Sequence, residues 1–291
     1  ASYLQTYYCI PEERLSLVLS DLFGLSAVPA TLARLIGRTA DRLHPFAKAI
    51  CKGLSGPQVA VKHLDETGFR VAGKTQWLHV ICSPLLSHFR VSSRRGDLLT
   101  GVSGLVVHDH WAPYFKMEGV QHALCNAHHL RELQALIVIE KEPWATEMKT
   151  FLLDAKALAD TRTDDCTVGA GVMCELLQRY NEILTQAVDF HEAQPPLQTI
   201  SDAVKRRGRP KRRTGHNLAL RLQKRKAEVI RFLTDPNAPF TNNEAERDLR
   251  MSKVRQKISG CFRVVRGAEI FCSLRTVTCT ARKQGWSVIE T

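Results

Sequence analysis

The sequence predicts an α/β fold: a mixed sheet core interrupted by a large all-helical insertion and preceded by a helical N-terminal subdomain. Three observations carry this. Strand-like runs are confined to one stretch beginning near Val59, helical periodicity dominates both sides of it, and a strongly basic segment with a Gly/Asp-rich loop divides the later helices. At 291 residues the chain is long enough to bury a sizeable core.

Residues 1–57 read as helical. Pro11 followed by Glu12 and Glu13 is a helix start, Leu15, Val18, Leu19 and Leu22 recur at helical spacing, and Gly24 supplies the stop. A second helical pattern runs from about Thr31 to Ile50. Two helices around FGLSAVPAT allow a helix-turn-helix, but the pattern fits better a helical subdomain packed on the neighbouring domain. Residues 58–121 change texture. VAVKHLDETGFRV, TQWLHVICS and LSHFRVSS are three β-rich runs, RRGDLLTGV is a short helix candidate, and GLVVHDH is an apolar strand ending in charge. Three strands, a helix and a fourth strand, with acids after the first and fourth, is the order of ribonuclease H-like folds.

Residues 122–235 are helical by pattern, through HLRELQALIVIE, TEMKTFLLDAKALA, VMCELLQRYNEILTQAV and LALRLQKRKAEVIRFL, with loops at 160–171 and 201–216. The last segment, 236–291, returns to helix from Thr241, breaks at GCFRVVRG and ends in a helix closed by Gly285.

Charge narrows the function. Lys and Arg number 41 against 29 Asp and Glu, a net charge of +12, which suits a polyanion such as nucleic acid. Nine cysteines, an odd number without a C-x-x-C pair, point to buried thiols in a reducing compartment. No apolar run reaches the ~18 residues of a membrane span, and the N-terminus lacks signal-peptide character, so the expectation is a cytoplasmic protein.

The acids are the candidates for chemistry. Phosphoryl transfer with two divalent metals needs carboxylates converging beside a groove. Asp65 lies within the first β-rich run and Asp109 at the carboxyl end of the fourth, where open α/β sheets place ligands. An edge or turn aspartate is the alternative for Asp65 and a capping aspartate for Asp109. Glu66 points to the opposite face of a regular strand and is not an equivalent ligand. In TNNEAERDLR, at 241–250, Thr241 and Glu244 have the form of a capping box. Glu246 lies about 200° around the helix from Glu244, so the two cannot serve one site. Spacing alone leaves Glu246 open between a metal ligand and an i,i+4 partner of Arg250.

Six blocks occur in order: HLDET at 63–67, WLHV at 77–80, GLVVHDHWAPY at 104–114, CNAHHLREL at 125–133, NNEAERDLR at 242–250 and RGA at 266–268. Together they resemble the DDE transposases of insertion-sequence family sixty-six, from about Tyr3 to Gly285. The resemblance implies an RNase H-like core whose catalytic, metal-holding triad is Asp65, Asp109 and Glu246, with Mg²⁺ or Mn²⁺ as cofactor and two ions during catalysis. It also implies a helical insertion between the second and third acids, and cleavage followed by attack of a 3′-hydroxyl on target DNA. The implied partners are transposon ends and target DNA, with a homo-oligomer assembled on DNA, in a prokaryotic cytoplasm at the nucleoid, with no membrane association. Cys125 and His128 form the C-x-x-H element that accompanies the second aspartate. Zinc needs further ligands, so a helix face beside the active site is the preferred reading, and His129 is incidental.

The stretch KRRGRPKRR places Lys205, Arg206, Arg207, Arg209, Lys211, Arg212 and Arg213 within nine residues. Its Gly-Arg-Pro centre is similar to an AT-hook, although a solvated linker making nonspecific phosphate contacts is favoured. Arg247 and Arg250 continue the basic field near the third acid. Family members usually carry further terminal segments, so a fragment or degraded copy is expected, and His110 and Trp111 stand where small residues are common. The competing readings are a stand-alone RNase H-like metal-dependent nuclease and an inactive transposase-derived DNA-binding protein.

Overall fold

A computed structural model describes residues 1–162, 168–195, 197 and 211–290. The chain divides into two compact units, Ala1–His122 with Asn242–Thr291, and Ala123–Thr241.

The first unit opens with α1 (Ser2–Thr6) and α2 (Glu12–Phe23). Pro11 precedes the first turn of α2, and Gly24 ends it in the left-handed region at φ +64°. The amides of Gly24 and Leu25 bond back to Ser20 and Leu19 at 2.9 and 3.1 Å, closing the last turn. Helix α3 (Pro29–Ser55) starts two residues earlier than expected and runs five further, because Pro29 suits a first helical position. Its buried stripe of Leu32, Ile36 and Ala40 meets Leu15 of α2.

The sheet is built from β1 (Val61–Val71), β2 (Lys74–Cys82), β3 (Ser87–Ser92), β4 (Gly104–His108) and β5 (Val120–Leu124), in the order β3-β2-β1-β4-β5. Strand β1 pairs antiparallel with β2 and parallel with β4, so the sheet is mixed, as an RNase H-like core requires. Ala72 and Gly73 join β1 to β2 with φ of +49° and +76°, a two-residue turn whose twist matches the hairpin. On one face Phe69, Leu78 and Phe89 pack with residues of the C-terminal helices; on the other Leu64, Ile81 and Val106 pack around Tyr114.

Two expectations fail here. The helix expected in RRGDLLTGV does not form. Ser92 and Arg90 donate to Asp97 at 2.7 and 2.8 Å, and the Arg94 amide bonds the Ser92 hydroxyl at 3.2 Å. Those local side-chain bonds hold a turn in place of a helical ladder. The fifth strand is absent from the sequence reading, since five residues running into a helix carry too little alternation to be recognised.

The second unit holds α4 (Asn126–Ala135), a π-helical turn (Leu136–Glu140), α5 (Pro143–Asp160), α6 (Ala170–Glu192), α7 (Thr214–Lys224), α8 (Lys226–Val229) and α9 (Arg231–Thr234). Phe151, Tyr180 and Leu222 lie in its core, where the Tyr180 hydroxyl donates to the Leu222 carbonyl at 3.0 Å. The pattern at 218–233 predicts one helix; the chain breaks it at Arg225 and Ile230, and nothing in the local sequence marks these breaks. Helix α7 also claims 214–216 from the expected loop, while 201–210 lie outside the described residues.

The first unit closes with α10 (Asn243–Ser259) and α11 (Val265–Lys283), separated at Gly260, φ +68°. Edge strand β3 is covered by α11: the amides of Ser87 and Phe89 donate to the hydroxyls of Thr280 and Thr276 at 3.1 and 3.0 Å. Such side-chain pairing blocks the open edge against further strand addition. The eight described cysteines are free thiols; Cys166 lies outside the described residues. No described helix is long and apolar enough to cross a membrane.

Candidate active site

Asp65 sits mid-strand in β1, opposite Val80 of β2. On the other side of β1 the parallel register runs Val61 to Leu105 and His63 to Val107, an offset of 44 residues. Carried two residues further, that offset sets Asp65 level with Asp109, which follows the last residue of β4. Neighbouring strands lie about 4.8 Å apart, so an acid just past the end of β4 comes near Asp65, and the charge of Asp109 acts on it. Asp109 Oδ1 accepts the Trp111 amide at 2.9 Å, which turns the chain into the 3₁₀ segment Ala112–Lys116.

Glu246 enters from α10. The start of that helix is fastened to β1 by Asn242, whose Oδ1 lies 3.0 Å from His63 Nδ1 and whose amide nitrogen donates to the Leu64 carbonyl at 2.8 Å. The anchor grips the two residues preceding Asp65. Burial holds His63 below the usual imidazole range, so its ring is neutral. The expected capping box is absent. Asn242 rather than Thr241 occupies the cap position, it makes no side-chain cap bond, and Glu244 turns instead to Arg247 and Lys283 at 3.4 and 3.5 Å.

Asp65 feels the other two acids. Burial pushes the Asp65 carboxyl up to about 7, and the charges of Glu66, Asp109 and Glu246 act in the same direction, against a single backbone hydrogen bond from Glu66 at 2.8 Å. A carboxyl with that set of neighbours favours either a proton or a bound cation.

Glu66, whose carboxyl is also pushed up by burial, differs in having partners. Its side chain is 1% exposed and takes Arg95 through Nε and Nη2 at 2.8 and 2.7 Å, with the Tyr114 hydroxyl on the other oxygen. Arg95 lies over the rings of Trp77 and Trp111, at 5.0 and 4.2 Å. Glu66 therefore braces the segment that carries Asp109, a role sequence reasoning missed. The available signal is the tyrosine closing the GLVVHDHWAPY block, which needs a buried partner for its hydroxyl.

Of the other expected residues, Arg247 and Arg250 are exposed on α10. Lys211 is exposed, and Arg213 donates to the Pro195 carbonyl at 2.8 Å. Lys205, Arg206, Arg207 and Arg209 lie outside the described residues. Cys125 and His128 belong to the second unit, where buried Cys125 holds the position before α4 without a side-chain cap bond and the two potential ligand atoms approach within 4.8 Å. His129 is a core residue of the same helix, its Nδ1 lying 3.0 Å from Asn126 Oδ1.

A five-stranded sheet mixing parallel and antiparallel strands, with helices packed against it, defines an α/β core of RNase H-like type. A family model described as the Transposase IS66 family matches residues 2–270. The chain belongs to that family, which makes it a DNA-acting enzyme of transposition and recombination. No curated protein matches the chain.

Proposed function

We propose that the chain is the catalytic part of a DDE transposase, with Asp65, Asp109 and Glu246 as the metal-holding triad. What supports this is the parallel register of β1 and β4, which runs towards Asp65 and Asp109, and the unfavourable charge of Asp65, to which Asp109 and Glu246 both contribute and which a cation would relieve. The donor set is all hard oxygen, which fits Mg²⁺ or Mn²⁺. Two divalent ions bound there would supply charge stabilisation to the attacking and leaving oxygens of an in-line phosphoryl transfer.

The protein's own part is positioning. Asn242 holds the Glu246 helix to β1, and Glu66, through Arg95 and Tyr114, holds the segment after Asp109. Arg247, Arg250 and the basic stretch 205–213 contribute phosphate contacts, with transposon ends and target DNA as partners and a homo-oligomer as the working form.

The test is Mn²⁺-dependent nicking of supercoiled DNA by Asp65→Ala, Asp109→Ala and Glu246→Ala. Each should lose roughly 10³-fold or more, since the ions supply several kcal/mol of transition-state stabilisation. Unchanged nicking in any of the three removes that residue from the triad. Joining of a 3′-hydroxyl end to target DNA separates a transposase from a plain nuclease.

A further inference from the structure

A cavity of about 340 Å³ opens in the first unit beside α10; it holds none of the triad and shares only Arg247 with the residues assigned above. Its cations are Arg247, Arg275, Arg282 and Lys283; its carboxylates are Glu244 and Asp248. Both carboxylates are already compensated. Lys283 reaches Asp248 at 3.0 Å and Glu244 at 3.5 Å, Arg247 reaches Glu244 at 3.4 Å, and the Ser87 hydroxyl donates to Asp248 at 2.6 Å.

Arg275 is the unexplained member. It is 3% exposed, yet it has no carboxylate partner among the described residues. Its Nε is buried without an acceptor, and its one hydrogen bond is a long 3.5 Å contact to the Tyr7 carbonyl. The guanidinium lies 4.9 Å from the Tyr7 ring centroid, and Arg282 lies 4.8 Å from the same ring while donating to the Tyr3 hydroxyl at 2.9 Å. The aromatic contacts hold both guanidinium groups at the cavity without neutralising them. Burying a cation is costly unless an anion joins it, and a planar guanidinium beside a second one suits the tetrahedral oxygens of phosphate.

We propose that this cavity binds a phosphate group, with Arg275 as the buried contact and Arg282 as the exposed one. Two sources share that chemistry: a nucleic-acid strand and a small phosphate compound. Assigning the phosphate to a DNA strand rests on the transposase reading, whereas the anion site itself stands without it. Helical geometry places Glu244 and Asp248 on the opposite side of α10 from Glu246, so a strand held here would grip the catalytic helix from behind.

The experiment is thermal unfolding of the full chain in inorganic phosphate against sodium chloride of equal ionic strength. At tenfold saturation the wild type should gain about 2–4 °C. Arg275→Met should lose that gain while its midpoint without phosphate does not fall, because an unpaired buried cation has been replaced by an apolar chain of similar length. If Arg275→Met fails to fold, Arg282→Gln, altered at an exposed position, should still cut the phosphate response by half or more. A short single-stranded oligonucleotide that competes with phosphate in the wild type and not in Arg282→Gln identifies the strand as the source. Phosphate binding without such competition keeps the site and assigns it to a small phosphate compound. No phosphate gain, or a gain undiminished in the folded variants, overturns the proposal. Nicking by the triad variants is read separately, so loss of the triad reading leaves this result interpretable.

Discussion

On one side of α10, the charges of Asp109 and Glu246 add to burial in raising the proton affinity of Asp65; on the other, Glu244 and Asp248 are each met by a cation. The same contrast divides adjacent residues of β1, where Glu66 is clamped by Arg95 and Tyr114 while Asp65 takes one backbone amide. Acids that serve the fold are paired inside it. Asp65 has no such partner among the described residues and is the acid of this sheet that a bound cation would complete, and Arg275 poses the mirror-image problem behind the helix.

The sharpest way to break this comparison is Asp65→Asn in metal-free protein. The Asp65 carboxyl titrates near 7 in the fold against 3.8 unfolded, so between those values the folded chain holds a proton that the unfolded chain has released. Stability therefore falls as pH rises through that window, and the asparagine variant escapes the loss. Asp65→Asn should stabilise the apo protein more at pH 8 than at pH 5, by about 2 kcal/mol after discounting for partial exposure. Urea unfolding at the two pH values measures it. Mg²⁺ should raise the wild-type midpoint at pH 8 and leave the variant unmoved. A variant equally affected at both pH values would mean that Asp65 carries no such burden.

Part of this was legible in the sequence. The strand runs around Asp65 and Asp109 alternate or end in charge strongly enough to be read, and Pro11 and Gly24 mark α2 because both fix backbone geometry locally. What escaped depends on contacts far apart in the chain. RRGDLLTGV has helix-compatible residues, but Asp97 is captured by Arg90 and Ser92 of β3. The capping box failed for the same reason: Asn242 is committed to His63 and Leu64, some 178 residues away, and Glu244 to Lys283. Separation of Glu244 from Glu246 needed only helical pitch and was visible at once. The bracing role of Glu66 required knowing that Tyr114 folds back onto β1.

Glu66→Gln tests that brace with a smaller effect. Losing the charge shared with Arg95 should cost about 1–2 kcal/mol of stability. As a positioning residue, Glu66 should act mainly on metal loading: half-saturating Mn²⁺ in nicking rises several-fold while the plateau rate falls less. Glu66→Asp, shorter but charged, should recover part of the metal affinity. A plateau lost outright with unchanged Mn²⁺ dependence would place Glu66 among the groups that touch the reacting atoms, against the division between paired and unpaired acids.

The smallest effect concerns the exposed cations of α10. A phosphate contact contributes about 0.9 to the slope of log affinity against log salt on duplex DNA. Arg250 should contribute close to that full amount, so Arg250→Ala lowers the slope by about 1. Arg247 is shared with Glu244 at 3.4 Å, and its side chain is 68% exposed, so the pair is loose and screened. Arg247→Ala should therefore lower the slope by less than Arg250→Ala does. Glu244→Gln should steepen it by releasing Arg247 to the phosphate. Filter binding across a salt series reads all three variants. An unchanged slope in Arg250→Ala takes this face of α10 off the DNA, and equal losses at the two arginines show that pairing with Glu244 does not restrain Arg247.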